Sequence, residues 1–528
     1  MPAPSHSDTT VSDDTGLLDV EERVEEVVLT AGDEQGEPPA PGTFGKIGSG
    51  MATLVVLIGL TYLVPALDWA RPWVAGKDPV PFWNLVGREL LGEGESLEKA
   101  DAKTEEAERI ARAMQDDEGP VRQGPVIEPP PKGTELPPYE PHPDDEEAVT
   151  QSLELPTPTA LDSFYASLAR TDASYAGAIT RVSHWGDSVI ANDNVSSAMR
   201  FLMQRRFGDA GHGFHLVAKP NPSYRHQGVR FFGGEDWQLC YIINRCQPDG
   251  LYGFGGTMVW STGGAESQWK TESKLALGRS ASRLELWYRA RPKSGRVRVK
   301  IDSEAPRIVE TAGPEGDAWQ TLEFPDGPHS ITLRAGASGK VRLYGVVLER
   351  EGPGVVWDGM AQLGAFSRKM LLFDPEHLRT QIDHRDPALL VFSFGGNDLT
   401  IPPHKLERYE QDFTEMLRRF AGTEDPRACV VMAPVDHGLR QGQRIVSLPM
   451  VARIVEIQRR VALAEGCAFF DTVAAMGGDG AAARWRRANP PLLSGDLAHL
   501  SHAGQKVIGR MAYLALMEGY VEYRRRTE

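Results

Sequence analysis

The stretch RVSHWGDSVIAND, Arg181 to Asp193, decides how most of the chain reads. It runs as a short apolar-leaning strand, breaks at Gly186-Asp187-Ser188, and continues as the start of a helix. Ser188 at the mouth of that turn has two readings. Ser and Asp are favoured at helix N-caps, where a side-chain oxygen accepts an otherwise unpaired N–H of the first turn. A hydroxyl held at the end of a strand is also placed to act as a nucleophile.

The surrounding pattern bears on the choice. LDSFYASLARTD before the stretch and VSSAMRFLMQRRFG after it carry apolar residues at helical spacing. From about residue 219 the pattern becomes short alternating strands and Gly-rich turns, such as SRLELWYRA, GRVRVKI and HSITLRA, which reads as an all-β insert over 219–352. From 353 the mixture of strands and helices returns. GVVWDG, PALLVFSF, ACVVMAPV and CAFFDTV alternate with the helical segments KLERYEQDFTEMLRRFAG and MVARIVEIQRRVALAEG. Strands alternating with crossover helices imply an α/β fold, a parallel sheet flanked by helices on both faces. Its two parts are 159–218 and 353–528.

The chain has 528 residues and a net charge of -16. The acidity is concentrated before residue 159: residues 1–46 hold 11 acids and 2 bases, and residues 68–158 hold 21 acids and 9 bases. The remainder is therefore weakly basic, about +5. Residues 1–46 read as a disordered acidic tail. Residues 47–67 hold 21 positions without a charge, enough for one transmembrane helix. Residues 68–158 read as a helical stretch followed by a Pro- and acid-rich extended linker. Lys46 precedes the span while Arg71 and Lys77 follow it, so the flanking charges do not set its orientation. No nucleic-acid-binding motif occurs, and no CxxC or zinc-ligand spacing is present. Of the four cysteines, Cys240 and Cys246 are spaced for a local disulfide, while Cys429 and Cys467 sit in apolar strand-like runs and read as free core thiols.

Catalytic groups in a parallel α/β sheet collect at the carboxyl ends of the strands. Four local features fall there: Ser188, Gly364, Asn397 in FSFGGNDL, and the pair Asp496 and His499 in SGDLAHLSHAG. Acyl transfer uses such a set. His499 is a base with a near-neutral side chain for the Ser188 proton. Asp496 holds the imidazole in one tautomer. The backbone N–H groups of Ser188 and Gly364 and the Asn397 amide are candidate oxyanion donors. His502 competes with His499, but the DxxH spacing favours His499. Asp187 and Asp398 read as braces of their turns. Asp436, His437 and Asp471 also lie near strand ends, where they could line the cleft, but they read first as solvated loop residues. Among the aromatic residues of the insert, Trp237, Tyr241, Tyr252, Trp260, Trp269, Trp287 and Tyr288, most read as core, with some available to stack on sugar rings.

GDS, GGND and DLAHLS in that order resemble the SGNH (GDSL) hydrolase family. The resemblance covers roughly 160–218 and 353–528 and implies an SGNH-type fold with catalytic Ser188, Asp496 and His499. It implies an oxyanion hole of Ser188, Gly364 and Asn397, with Gly359 an alternative to Gly364 because AQLGA departs from the commoner turn. HWGDSVIANDNVSSAMRFLMQRRFGDAGHGF further resembles the subgroup acting on O-acetyl groups of bacterial cell-wall glycans, in which a β-sandwich like a carbohydrate-binding module is inserted at this point. The expectation is a membrane-anchored serine esterase facing the periplasm or exterior, with an acetylated glycan as substrate and neither metal nor organic cofactor. An O-acetyltransferase using the same triad and a catalytically silent glycan-binding protein are the alternatives. The oligomeric state stays open.

Overall fold

The computed structural model describes residues 60–62, 94–114, 122, 126–129, 136–274 and 277–528. The expected transmembrane segment 47–67 lies outside the described residues apart from 60–62, and the acidic tail 1–46 lies wholly outside them. Among the described residues no helix is long and apolar enough to cross a membrane. Contacts divide the chain into 1–92 and Glu93–Glu528, and the second unit holds everything that follows.

Its centre is a five-stranded parallel sheet. The strands are β1 (Ile179–Gly186), β2 (Gly354–Ala361), β3 (Leu389–Ser393), β4 (Cys429–Met432) and β5 (Ala468–Phe470). Their order is β2-β1-β3-β4-β5, so the chain reverses its winding between β1 and β3. The longer helices are α1 (Gly94–Ala113), α2 (Asp162–Asp172), α3 (Asn194–Phe207), α4 (Pro375–Arg385), α5 (Leu406–Ala421), α6 (Met450–Ala464) and α7 (His502–Thr527).

Alternate strand residues point to opposite faces, and here they partition into two cores. Val182, Leu389, Val391, Val430 and Phe470 pack with Phe164 of α2, Met199 and Leu202 of α3 and Met511 of α7. Trp185, Leu390, Phe392, Val431 and Phe469 pack with Leu378 of α4, Phe413 of α5 and Ile454 of α6. Both faces are covered, which is why β3, β4 and β5 are continuous apolar runs rather than alternating ones.

The all-β segment forms two antiparallel sheets around their own core, which includes Trp269, Leu284, Leu286, Val299, Leu333 and Leu343. The larger sheet starts ahead of residue 219, because Gly211–His215 pairs antiparallel with Val341–Glu349. An aromatic contact and a cluster of charges are among the contacts that tie this β-sandwich to the parallel sheet. Phe254 packs edge-on against Trp185 of β1, with ring centroids 4.9 Å apart. Arg385 of α4 binds Asp358 of β2 through Nε and Nη2 at 2.8 and 2.9 Å, and Glu349 of the sandwich at 2.6 Å. Arg181 chelates the same Glu349 through two bonds of 2.9 Å. Glu349 is buried, which alone raises its pKa, but the charges of Arg385, Arg181 and Arg283 hold it well below the usual carboxylate range.

Two sequence expectations change. Cys429 and Cys467 are joined in a disulfide rather than free, with Cα atoms 4.7 Å apart. The parallel register pairs Val430 with Ala468, so the residues just before them lie side by side on adjacent strands. Cys240 and Cys246 are also bonded. The second change concerns the acid-rich linker. Its described parts lie on the body instead of extending away. Ala107, Ile110 and Ala111 of α1 enter the first core. Asp145 meets Arg206 at 2.8 Å, Asp144 accepts from Tyr513 and from Arg510, and Glu154 bridges to Phe469 through backbone bonds in both directions. The acids dock because the weakly basic body supplies buried arginines for them.

Candidate active site

The reversal between β1 and β3 opens a crevice at the carboxyl ends of these strands, the place where open α/β sheets bind ligands. Gly186 ends β1 against Ser393 of β3. A Cβ on Gly186 would stand 2.7 Å from the Ser393 carbonyl oxygen, so only glycine lets the turn close there. Asp187 then caps the 3-10 helix Ser188–Asp193, its Oδ1 accepting from Val189 N–H at 3.0 Å. Ser188 is the first residue of that helix, so the N-cap role falls to Asp187.

Ser188 Oγ lies 3.1 Å from His499 Nε2, and His499 Nδ1 lies 2.7 Å from Asp496 Oδ2. The second Asp496 oxygen accepts from the N–H groups of Ala498 and His499 at 3.0 and 3.1 Å. Partial burial raises the Asp496 pKa, but these N–H donors and the His499 ring outweigh it and leave the carboxyl below its ordinary value. An ionised Asp496 accepts a hydrogen bond from Nδ1–H, which leaves the proton on His499 and turns the lone pair of Nε2 toward Ser188. The turn is held tightly. Leu497 adopts φ 62°, a left-handed conformation unusual for a side chain of its size. Its carbonyl accepts from Gly438 N–H at 2.7 Å and its side chain is buried, which keeps it there.

The oxyanion candidates are linked rather than independent. Asn397 follows β3, and its Nδ2 donates to Ala365 O at 3.1 Å, joining it to the loop of Gly364. The amide has a second hydrogen for a ligand. Gly364 has φ 79° and open space where a Cβ would stand. Gly359 lies inside β2, paired with His184, where an added Cβ would meet Ser196 Oγ at 2.9 Å and Asp193 Oδ1 at 3.0 Å. It sits within a packed strand and Gly364 in a loop.

Two buried carboxylates brace this arrangement. Asp187 Oδ2 accepts from Gly396 N–H at 3.0 Å, so one side chain joins the Ser188 turn to the Asn397 loop. Asp398 accepts from Ser367 N–H at 3.1 Å and fixes the other side of that loop. Burial raises both pKa values, and Asp398, also facing the Asp187 charge, is pushed up to about 7.

The cleft has a volume of about 250 Å³ and is lined by Ser188, Asn397 and His499 together with Thr400, Pro434 and His437. His437 is therefore a cleft residue, not a solvated one. Burial lowers its pKa, and its Nδ1 sits 2.9 Å from Val435 O. Asp436 and Asp471 are buried rather than solvated. Asp436 accepts from Ser447 Oγ and Ala482 N–H, and Asp471 caps a short helix while pairing with Arg459. His502 is exposed at the first turn of α7, away from the Ser188 bond made by His499. Asp193, which the sequence did not single out, gathers Ser196 Oγ, Arg200 and Gln227 N–H around the far end of the Ser188 helix. Among the described residues no group of His, Cys, Asp or Glu is arranged to hold a metal ion.

A model of the GDSL-like lipase/acylhydrolase family matches residues 330–507. That range contains Gly364, Asn397, Asp496 and His499 but not Ser188, which the β-sandwich separates from it. None of the curated proteins compared matches the chain significantly. Among solved structures, a peptidoglycan O-acetylesterase superposes with a TM-score of 0.59 at 18% identity, over 70% of this chain and 99% of that one. A family two carbohydrate esterase from Cellvibrio japonicus is also similar, at 11% identity and a TM-score of 0.22, over 56% of this chain and 98% of that one. The first likeness is one of fold, and the second is too distant in superposition to argue from.

Proposed function

We propose that this chain, a serine ester hydrolase of the GDSL-like lipase/acylhydrolase family, removes O-acetyl groups from a cell-wall or exported polysaccharide through an acyl-enzyme on Ser188. The observation that carries the reading is the continuous relay from Ser188 Oγ through His499 to Asp496, with spacings of 3.1 and 2.7 Å.

In this reading His499 Nε2 takes the Ser188 proton as Oγ forms a bond to the acetyl carbonyl carbon. The tetrahedral oxyanion is met by the N–H groups of Ser188 and Gly364 and the free hydrogen of Asn397 Nδ2. Collapse breaks the bond to the sugar oxygen, and His499 returns the proton to that oxygen. Water, deprotonated by His499, then attacks the acyl carbon; the bond to Ser188 Oγ breaks, His499 returns the proton to that oxygen, and acetate leaves.

Hydrolysis is favoured over transfer to a second sugar by the openness of the triad, since the His499 and Asp496 side chains are each 51% exposed. Among the described residues, that exposure gives water a direct path to the acyl-enzyme. An exported location is supported by the two disulfides, which persist in oxidising compartments. Residues 47–67 would then tether the esterase to the membrane with its catalytic body outside.

The test is acetate release from O-acetylated peptidoglycan and from acetylated neutral glycans, with Ser188→Ala as control. Release by the parent protein and none by the variant supports the reading. Release by both, or by neither, contradicts it.

A further inference from the structure

The β-sandwich carries a cavity of about 270 Å³, none of whose lining residues lines the Ser188 cleft. That size is at the low end of ligand pockets, enough for a small group such as one sugar ring. Its wall contains Trp260, Lys293, Lys340, Arg291 and Arg342, with Gln247 and Ser294 as neutral polar groups.

The cations are not equivalent. Arg342 is buried and chelates Asp249 at 2.9 and 3.3 Å, yet its Nε has no hydrogen-bond partner. Arg291 pairs with Glu315 at 3.1 Å. Lys293 and Lys340 are exposed and make no ion pair with a carboxylate among the described residues; Lys340 Nζ stands 5.0 Å from the centre of the Trp260 ring. A single carboxylate in the wall, Asp249, is already engaged by Arg342. The cavity therefore presents unneutralised positive charge beside an aromatic surface.

Among the sandwich aromatics that are not fully buried, Trp319, Phe231 and Phe232 lie outside the cavity lining and Trp260 lies within it. Trp237, Tyr241, Tyr252, Trp269, Trp287 and Tyr288 are all buried, whereas Trp260 is only half-buried at the cavity. The turns that carry the lysines are braced. Gly295 N–H donates to Lys340 O at 3.2 Å, and Ser294 N–H donates to Arg291 O at 3.1 Å. The Cys240–Cys246 disulfide lies just before Gln247. The backbone that carries these groups is held before any ligand arrives, which lowers part of the ordering cost of binding.

We propose that this cavity binds a carboxylated sugar residue of a glycan, with Lys293 and Lys340 meeting the carboxylate and Trp260 packing on the ring. Free phosphate would use the cations but leave the indole idle. A neutral sugar would use the indole but leave both lysines unpaired. The carboxylated sugar uses both, and it comes from either a uronic-acid polymer or the lactyl-bearing sugar of peptidoglycan. The site does not depend on Ser188 being a nucleophile.

The test is calorimetric titration of the full chain with ligands that carry no ester. These are oligogalacturonate, its carboxyl-reduced counterpart, de-O-acetylated peptidoglycan glycan strands, and single-stranded DNA as a polyanion control. Binding of oligogalacturonate or of the glycan strands, and of neither carboxyl-reduced sugar nor DNA, is expected, and the arm that binds identifies the source. Lys293→Ala with Lys340→Ala, and separately Trp260→Ala, should each weaken that binding roughly tenfold or more. Turnover of p-nitrophenyl acetate should be unchanged in both, which also shows that they fold. Failure of both carboxylated ligands to bind, equal binding of the reduced sugar or of DNA, or affinity untouched by the substitutions would overturn the proposal.

Discussion

Replacing Asp398 with Asn should change how stability depends on pH, and the sign follows from its surroundings. The Asp398 side chain is fully buried beneath the Asn397 loop, with the Asp187 carboxylate as a buried neighbour. Burial and that neighbour push its pKa up to about 7 from 3.8. Between those values the folded protein holds a proton that the unfolded chain has released. Its contribution to stability is therefore fully present below about pH 4 and is lost as pH rises toward 7. The slope is about 1.4 kcal/mol per pH unit, which accumulates to about 4 kcal/mol above pH 7 if no other group compensates. Asn mimics the protonated carboxyl. Its oxygen still accepts from Ser367 N–H, and its amide faces Ser367 Oγ, now 3.4 Å from the carboxylate. Urea unfolding of the parent and Asp398→Asn should give similar free energies at about pH 4, with the variant ahead by about 1.5 kcal/mol at pH 5. At pH 8 the variant should be the more stable, by about 2–4 kcal/mol. Parallel pH profiles, or a variant less stable at pH 8 than at pH 5 by as much as the parent, would refute this account of the buried carboxylate.

Asp496→Asn should leave the fold intact and reduce kcat by about 10⁴-fold, because the amide favours the wrong His499 tautomer; a near-normal rate on p-nitrophenyl acetate would count against its role. Arg385→Ala strands Asp358 and Glu349 without their main partner and should cost about 3–5 kcal/mol, read as a fall in urea midpoint. Cys429→Ser combined with Cys467→Ser opens a loop of sequence separation 38 and should cost about 4 kcal/mol on the chain-entropy model; an unchanged midpoint would contradict it.

What the sequence makes legible is what is local. β3, β4 and β5 of the parallel sheet show as apolar runs, and the Asp496–His499 spacing places acid and base within one turn. The GDS turn marks a strand end by its composition, although the capping oxygen turns out to belong to Asp187 and not Ser188. Pairing across distance is not legible. The Cys429–Cys467 bond depends on the register of β4 with β5, which the intervening helix sets. The bond from Asn397 to Ala365 O depends on two loops meeting across the crevice. The acid-rich segment reads as linker because its partners, Arg206 and Arg510, lie far along the chain and look like ordinary surface bases in their helices. His437 and Asp436 are adjacent, yet one faces the cleft and the other the interior, a division that composition does not record.

The most direct test of the central claim is covalent labelling of the full chain with a fluorophosphonate, followed by intact-mass measurement and peptide mapping. The account predicts a single adduct on Ser188 that is lost in Ser188→Ala and strongly slowed in His499→Ala. No adduct, or an adduct on another residue that persists in Ser188→Ala, would contradict it.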